Sequence, residues 1–326
     1  MSARINIALI QHPPVFLNLP ASVRLATQLV SDAASKGAQL VVFPESWLPG
    51  YPVWLDFAPG AALWGNPAAE VLFAHLYANS PTADGREIAE LMATAKANDV
   101  DIVMGLHERS GHTLFNSMML LGADGSTGIH RKLVPTHGER LIWGQGDGST
   151  LSAWSRPYGI LGGLICWEHW MPLARAAMHA QREAIHIAQW PAAGELHQMA
   201  SRTYAFEGQC FVVVAGTVLT RDDVLAGFDS SGGDSLARSL LESIPDDLPY
   251  LKDGGSAVIA PDASFVLAPV HGNPSTLFVE IDLAAFDGGK LYLDTHGHYA
   301  RPDVFELAVN TRAKPGVRFA DEDLCD

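Results

Sequence analysis

The sequence predicts a layered α/β fold, and three observations support this prediction. Apolar segments of strand length alternate along the chain with segments of helical periodicity. The strand segments carry few alternating polar residues, which indicates sheets covered on both faces. No internal repeat or linker divides the 326 residues. We therefore expect a single domain over residues 1–326, with a core at about 5–305 and a loosely held tail at about 310–326.

The first half of the chain is predicted to alternate strands with two helices. Apolar residues at helical spacing after Ser22, with Gly37 as a stop, indicate the first helix. Thr82 or Asp84 is expected to cap the second helix, and Ala123-Asp124-Gly125 to form a hairpin turn. The predicted elements are a strand over Ile5–Ile10, a helix over Ser22–Lys36, a strand over Gln39–Phe43, a helix that includes Ile88 and Ala95, and strands over Asp101–Gly105, Asn116–Leu121 and Ser126–Lys132.

The second half is predicted to continue the alternation and to end in a meander of three strands. Pro172 suits the first turn of a helix. The segment 221–249 is rich in Asp, Ser and Gly, so we expect it to be an excursion at the surface. The predicted elements are strands over Gly159–Ile165, Ile185–Gln189 and Phe211–Ala215, helices over Pro172–Ala180 and Glu195–Glu207, and a final meander of Ser256–Ala260, Phe265–Ala268 and Thr276–Ile281.

Composition and charge restrict the classes of partner. A net charge of -15 offers no basic stripe for nucleic acid. No apolar window approaches membrane-spanning length, and the amino terminus does not look like a signal peptide. The cysteines Cys166, Cys210 and Cys325 are too few and too widely spaced for a disulfide framework, so we expect a reducing cytoplasm. The thirteen histidines show no recognised zinc spacing, and we expect no metal.

Three reactive side chains stand where apolar strands stop: Glu45, Lys132 and Cys166. Together they supply a base, a positive charge and a nucleophile, which is the equipment for splitting a carbon–nitrogen bond through a covalent intermediate. Each of these residues also has an interpretation without catalysis. A buried cysteine is usually a small apolar side chain, and Glu45 and Lys132 are charges of the kind found at solvated strand ends. Glu139 would equally serve as a surface partner of Arg140.

The sequence segments around these residues resemble motifs of the nitrilase family. Residues 44–52, PESWLPGYP, resemble its glutamate motif, and HRKLVPT at 130–136 with ERLIWGQGDG at 139–148 resembles its lysine motif. CWE at 166–168 with MPLAR at 171–175 resembles its cysteine motif. QWP at 189–191 and GHYARPD at 297–303 also look like family blocks, so the likeness runs from about residue 5 to about residue 305.

The resemblance implies a four-layer αββα sandwich that self-associates into dimers or larger oligomers. It implies hydrolysis of a small-molecule nitrile by water to a carboxylic acid and ammonia, without a cofactor. It assigns Glu45 as the base, Lys132 as the electrostatic stabiliser and Cys166 as the nucleophile, with Glu139 orienting the lysine. General chemistry agrees, since a thiol is mostly protonated at neutral pH and needs a base before it attacks.

Aromatic residues within or beside the motifs indicate an apolar pocket for an organic nitrile, although most tryptophans in proteins fill cores or interfaces. His169 departs from the asparagine of many arylacetonitrile-hydrolysing relatives and resembles aliphatic-nitrile and cyanide-degrading members. The predicted substrate-binding residues are Tyr51, His137, Trp167, His169, Trp170 and Trp190.

Three alternatives remain open. The same nucleophile, lysine and glutamate would serve an amide or carbamoyl substrate, because a tetrahedral oxyanion needs similar stabilisation. Family amidases usually lack the Trp-Glu step that follows Cys166 here. Hydrogen cyanide is a separate candidate because of His169. A non-catalytic scaffold that assembles with itself is the third alternative, but a scaffold has no need to keep a thiol, an ammonium and a carboxylate together.

Overall fold

Two β-sheets lie face to face at the centre of the molecule, which a computed structural model describes over residues 4–314. The described strands are β1 (Arg4–Ile10), β2 (Leu40–Val42), β3 (Asp101–Ser110), β4 (Thr113–Leu121), β5 (Thr127–Arg131), β6 (Trp154–Arg156), β7 (Gly159–Ile165), β8 (Ile185–Gln189), β9 (Phe211–Ala215), β10 (Val218–Leu219), β11 (Lys252–Ile259), β12 (Phe265–His271) and β13 (Thr276–Asp282). The first sheet has the order β13-β1-β2-β3-β4-β5. The second has the order β10-β11-β9-β8-β7-β6, and β12 pairs with β11.

Helices cover the outer faces of both sheets and produce the predicted αββα sandwich. Those described are α1 (Leu19–Ser35), α2 (Trp54–Phe57), α3 (Pro67–Ala78), α4 (Arg86–Asn98), α5 (Pro172–His179), α6 (Glu195–Gly208), α7 (Arg221–Ser230) and α8 (Ser235–Glu242). Helices α1 and α4 pack on the first sheet, and α5 and α6 pack on the second. Within residues 4–314, no helix combines the length and the hydropathy needed to cross a bilayer.

The alternation of β1 shows how the sequence separates the layers. Ile5, Ile7 and Leu9 point into the core between the two sheets, whereas Ala8 and Ile10 point toward α1 and α4. Side chains of a strand alternate between its two faces, so a strand that is apolar at nearly every position has both faces buried. The lack of polar alternation in the sequence therefore reflects the covering of both sheet faces.

Parallel strands place their carboxyl ends together in each sheet. In the second sheet, Ile165 of β7 aligns with Gln189 of β8, which aligns with Ala215 of β9. In the first sheet, β2 runs parallel to both β1 and β3. The Gln189 side chain donates from Nε2 to the carbonyl oxygen of Phe43 at 2.7 Å and thereby joins the ends of the two sheets. This shared edge carries the reactive residues.

Two predicted helix starts are wrong. Helix α1 begins at Leu19, before Ser22, because the Asn18 side chain caps it by accepting from the N–H of Ala21. Helix α4 begins after Gly85 without a side-chain cap, so neither Thr82 nor Asp84 performs that role.

The prediction that residues 221–249 form an excursion at the surface is also wrong. Helices α7 and α8 occupy most of it and bury Phe228, Leu240 and Leu241 in a third apolar cluster. Helix α3, which the sequence analysis missed, contributes Leu72 and Leu76 to the same cluster. Asp, Ser and Gly at the helix ends obscure an apolar spacing that belongs to helices.

The three strands predicted as a carboxyl-terminal meander belong to two different sheets. Strand β12 pairs with β11, but β13 crosses to the first sheet and pairs antiparallel with β1, Ile281 lying opposite Ile5. The predicted tail is described only as far as residue 314, where the Lys314 N–H donates to Asp147 Oδ2 at 2.7 Å. The remainder of that tail, with Cys325, lies outside the described residues.

Candidate active site

Cys166 stands at a sharp turn between β7 and a 3-10 helix, Cys166–Trp170. Its φ of 55° lies in the left-handed region, which costs a non-glycine residue about 1–3 kcal/mol and persists only where surrounding contacts enforce it. The backbone N–H of Trp167 lies next to the Cys166 sulfur and opposes the rise in its pKa that burial causes. The side chain is 3% exposed, so the turn presents a nearly buried thiol beside a backbone donor.

Three charged side chains from the first sheet meet this sulfur. Lys132 Nζ lies 3.0 Å from Glu45 Oε1 and 2.7 Å from Glu139 Oε2. A carboxylate oxygen of Glu45, one of Glu139 and the Cys166 Sγ all lie within 4.8 Å of one another. The four residues to which the sequence analysis gave chemical roles thus form one buried cluster.

The position of Glu45 depends on Gly105 of β3. A Cβ at residue 105 would lie 2.0 Å from the carbonyl oxygen of Pro44, so only glycine lets the Glu45 loop cross the strand this closely. Asn116 Nδ2 donates to Glu45 Oε1 at 2.6 Å. Glu45 Oε2 has no hydrogen-bond partner in the described part of the chain. That second oxygen is therefore free to accept a proton.

Glu139 is fixed more completely than Glu45. It lies in a 3-10 helix, His137–Leu141, whose capping box directs the N–H of Thr136 onto Glu139 Oε2 at 2.7 Å. The Tyr51 hydroxyl donates to Oε1 at 3.1 Å. With the ammonium of Lys132 on Oε2, this carboxylate has donors on both oxygens, which suits it to hold the lysine in place.

Burial and neighbouring charge set the protonation of the cluster. Burial raises the pKa of Glu45 to about 7, although the Lys132 charge opposes the rise. Burial raises the pKa of the Cys166 thiol well above its usual range, and Glu45 adds to that rise. Burial alone would lower the pKa of Lys132, but the acidic groups around it outweigh burial and raise it. The site therefore holds a neutral thiol and a charged ammonium beside a carboxyl group that titrates near neutrality.

Glu168, which sequence reasoning named only as part of a motif, joins the cysteine turn to the lysine loop. Its Oε2 accepts from the N–H of Ile165 and its Oε1 from the N–H of Leu133, each at 2.7 Å. His130 Nε2 lies 2.9 Å from Oε2. One buried carboxylate thus bonds the residues next to Cys166 and Lys132. A glutamate two residues after the nucleophile was the available signal.

Sequence reasoning also missed Asn116, His107 and Trp143. Asn116 is the one amide of β4 and precedes the apolar run that follows Ser117, which was a usable signal. Trp143 Nε1 donates to His107 Nδ1 at 2.9 Å, and the Trp143 ring lies 5.9 Å from Lys132 Nζ. Asn116 and Trp143 contact the cluster directly, and His107 holds Trp143. These contacts join positions far apart in the chain.

A cavity of about 590 Å³ opens onto the Cys166 thiol. Of the six predicted substrate-binding residues, Tyr51, His137 and Trp167 line it. Its wall also contains five polar residues that were not predicted, Asp56, His197, Tyr250, Lys252 and Asp253. Asp56 lies in α2 and His197 in α6, whereas Tyr250, Lys252 and Asp253 lie just before or at the start of β11.

The other three predicted pocket residues require correction, because they do not line this cavity. His169 and Trp190 are fully buried and stack on each other with ring centroids 4.9 Å apart. Trp170 packs partly buried against the core between the sheets. His169 and Trp170 are close to Cys166 in sequence, but the left-handed turn at Cys166 directs His169 away from the cavity.

Glu45, Glu139 and Cys166 are also the one trio among residues 4–314 whose ligand atoms are close enough to share a metal ion. The ammonium of Lys132 already lies between the two carboxylates at hydrogen-bond distance. It supplies positive charge where a cation would bind, so a metal would have to displace it.

Comparison with known proteins identifies the family of the chain. The family profile described as "Carbon-nitrogen hydrolase" matches residues 6–288. The chain is 35% identical to "Nitrilase" of Pseudomonas syringae pv. syringae (strain B728a), over 97% of this chain and 93% of that protein. It is 35% identical to "Arylacetonitrilase" of Aspergillus kawachii (strain NBRC 4308), over 98% and 95%. A solved carbon-nitrogen hydrolase from Helicobacter pylori G27 shares the fold, with a TM-score of 0.68, 20% identity and coverage of 93% of this chain and 97% of that one. The chain therefore belongs to the carbon–nitrogen hydrolase family, on its nitrilase branch, and is an enzyme that hydrolyses carbon–nitrogen bonds.

Proposed function

We propose that this enzyme is a nitrilase that converts an organic nitrile and two water molecules into a carboxylic acid and ammonia. The observation that carries the proposal is the convergence of Glu45, Lys132 and Glu139 on the Cys166 sulfur. Identity of 35% to nitrilases over nearly the whole chain supports it.

In the first step, the Cys166 thiol gives its proton to the Glu45 carboxylate while the sulfur attacks the nitrile carbon. The carbon–sulfur bond forms as one carbon–nitrogen π bond breaks, and the nitrogen takes the proton back from Glu45. The product is a neutral thioimidate. A carboxyl group with a pKa of about 7 suits both the acceptance and the return of a proton.

Water then adds to the thioimidate carbon, and Glu45 accepts one of its protons. The tetrahedral intermediate expels ammonia once its nitrogen is protonated, which leaves a thioester on Cys166. A second water hydrolyses the thioester to the acid and restores the thiol. Loss of the sulfur in place of the ammonia would release an amide, so an amide by-product is expected for some substrates.

Lys132 stabilises the negative charge that develops on the nitrile nitrogen and later on the oxygen. Its buried ammonium is held on two carboxylates, so it stays charged and fixed throughout the cycle. The backbone N–H of Trp167 adds a second donor next to the sulfur.

Cys166→Ala tests the proposal directly. We expect it to abolish ammonia release from nitriles while its thermal unfolding remains cooperative, because a buried thiol replaced by a methyl group perturbs packing little. Cys210→Ala is the matched control, since Cys210 is equally buried and lies outside the cluster. Normal turnover by the Cys166 variant would refute the proposal.

The size of the cavity favours an organic nitrile over hydrogen cyanide. A volume of about 590 Å³ falls in the range of sites that enclose drug-sized ligands, about 300–1,000 Å³. A panel of matched nitriles and amides, with cyanide included, tests the choice by ammonia release. Faster turnover of the amides would favour the amide alternative, and cyanide as the best substrate would contradict the argument from cavity size.

We also propose that the enzyme self-associates. Leu173 of α5 and the α6 residues Leu196, Met199 and Phe206 are large apolar side chains exposed on the helices that cover the second sheet. Burying such side chains against a second copy would remove apolar surface from water. Light scattering should give a dimer or larger species that Phe206→Glu weakens, and a monomeric wild-type enzyme would contradict this.

Two further proposals concern the whole chain. We propose that residues 1–326 form one domain, since the core between the sheets joins β1 to β13; two separate calorimetric transitions would contradict it.

We propose a reducing, cytoplasmic location, because Cys166 and Cys210 are free thiols, and cell fractionation tests this.

A further inference from the structure

Behind the cysteine turn, four buried polar side chains form a continuous chain of hydrogen bonds. His169 Nδ1 lies 2.8 Å from the carbonyl oxygen of Cys166, and His169 Nε2 lies 3.0 Å from His186 Nε2. His186 Nδ1 lies 2.8 Å from Glu183 Oε1, and the Tyr204 hydroxyl donates to Glu183 Oε2 at 2.5 Å. We call His169, His186 and Glu183 the buried histidine chain.

The carbonyl of Cys166 fixes where every proton of this chain resides. A carbonyl only accepts, so His169 must carry its proton on Nδ1, and a neutral His169 then has a bare Nε2. His186 must therefore donate from Nε2, which leaves its own Nδ1 bare. A bare Nδ1 needs a donor, and the group facing it is Glu183. The neutral assignment is complete only if Glu183 is a protonated carboxylic acid.

The surroundings of Glu183 favour that neutral acid. Glu183, His186 and Tyr204 are almost completely buried, and burial raises the pKa of Glu183 to about 7 while lowering that of His186 well below its usual range. Gly162 of β7 leaves space for the carboxyl group, since a Cβ there would lie 1.7 Å from Glu183 Oε1. The pocket around Glu183 is thus shaped for this side chain, and Tyr204 and His179 offset only part of the effect of burial on its pKa.

The chain ends on the peptide group that supports the nucleophile. The Cys166 carbonyl and the Trp167 N–H belong to the same peptide unit; burial raises the pKa of the Cys166 thiol, and that N–H opposes the rise. A donor on the carbonyl polarises the peptide and strengthens its N–H as a donor, and successive hydrogen bonds reinforce one another. The same bond helps to hold Cys166 at its left-handed φ.

We propose that the buried histidine chain, with Glu183 protonated, is a positioning network that aligns and polarises the Cys166–Trp167 peptide and so makes the Cys166 sulfur more reactive. The proposal rests on the role of Cys166 as nucleophile in the proposed function. It gives His169 a role behind the sulfur in place of the predicted substrate contact.

Loss of the Glu183 proton would reverse the chain. A carboxylate would draw the His186 proton to Nδ1, His169 would have to donate from Nε2, and its bare Nδ1 would then face the Cys166 carbonyl. The titratable and charged groups facing these three side chains are His130, Cys166, Glu168, Arg175, His179, Tyr204 and Cys210. The forward arrangement is present below the Glu183 pKa of about 7 and is lost above it.

Alkylation of Cys166 by iodoacetamide, mapped by mass spectrometry, measures sulfur reactivity without any nitrile. It therefore separates failure of this proposal from failure of the proposed nitrilase activity. The variants are Glu183→Gln, an isostere whose amide still donates to His186, and His169→Leu, which removes the donor to the carbonyl. Cys210→Ala is the matched control, because it alters buried packing near Glu183 without removing a bond of the chain.

We expect His169→Leu to slow Cys166 alkylation at least about fivefold, the factor expected for losing one hydrogen bond of ordinary strength. Below the Glu183 pKa, Glu183→Gln should stay within about twofold of wild type, because its donor is kept. Above that pKa, the wild type should fall behind Glu183→Gln, and Cys210→Ala should follow the wild type throughout.

A Glu183→Gln variant as slow as His169→Leu would overturn the protonated assignment, and unchanged alkylation in His169→Leu would overturn the positioning role. If His169→Leu does not fold, the ratio of Glu183→Gln to wild type still decides. A ratio that stays constant as pH crosses the Glu183 pKa contradicts the proposal.

Discussion

Glu168→Gln probes the connection between the two halves of the active site. The carboxylate of Glu168 accepts from the N–H groups of Leu133 and Ile165 and is paired with His130, and the Glu168 and His130 side chains have almost no access to solvent. A glutamine has one oxygen and one NH₂ in place of the two oxygens. In any orientation, one backbone N–H group then faces another donor, and the charge opposite His130 is gone.

We expect this substitution to lower the free energy of unfolding by about 3–5 kcal/mol, the usual result of removing one partner of a buried ion pair. The unpaired backbone N–H contributes about 1–3 kcal/mol of that loss. Because the N–H groups flank Lys132 and Cys166, we also expect kcat to fall about tenfold to a hundredfold, as small displacements of reacting groups do.

The stability difference should depend on pH in a defined way. Burial opposes both charges, but the pair overcomes it, lowering the pKa of Glu168 and raising that of His130. The lowered carboxyl pKa stabilises the fold above the ordinary glutamate value of 4.5, and this is lost as pH falls through the folded pKa. The raised histidine pKa stabilises it below 6.5, and this is lost as pH rises. The difference should be largest between those two values.

Urea unfolding and ammonia release measure the two effects. Asp101→Asn is the matched control, because Asp101 forms an equally buried pair with Arg156 that makes no contact with the reactive cluster. It should lose comparable stability and keep the wild-type kcat at temperatures where it is folded. Wild-type stability and turnover in Glu168→Gln would refute the assigned connection.

Three further predictions test parts of the site. The kcat/KM profile should lose activity as pH falls through about 7, because burial raises the pKa of Glu45 to that value and the base must be unprotonated; an acid limb near the ordinary pKa of glutamate would contradict this. Gly105→Ala should lower stability by about 1–3 kcal/mol and reduce kcat, because its Cβ displaces the backbone at Pro44; an unchanged melting temperature would count against that reasoning. Tyr51→Phe should reduce kcat about tenfold by removing the hydroxyl donor to Glu139, with wild-type turnover as the contrary result.

The sequence was sufficient where the relevant information is local. Strand ends near Val42, Arg131 and Ile165 follow from local sequence, and strands that run in the same direction place their carboxyl ends at one edge of a sheet. The approach of Glu45 to Lys132 at the edge of the first sheet was therefore predictable, whereas Cys166 comes from the second sheet and was placed with them by the motif resemblance. The motif sequences around these residues indicated the family, and the family implied the αββα arrangement.

The features that the sequence could not predict depend on the direction of side chains and on contacts between residues distant in sequence. His169 is three residues from the nucleophile, but a left-handed φ at Cys166 turns it toward His186 and away from the cavity. Strand β13 pairs with β1 across nearly the whole chain, which no local periodicity records. Lys252 reaches the cavity wall from the start of β11 for the same reason.

The central claim is that Cys166 forms a covalent bond to the substrate carbon during turnover. Acid quenching of the enzyme during hydrolysis of a nitrile, followed by peptide mass spectrometry, tests it most directly. We predict that the peptide containing Cys166 gains the mass of the thioimidate or of the acyl group, and that the Cys210 peptide does not. Rapid ammonia release with Cys166 unmodified at every quench time, or with the label on another residue, would contradict the account.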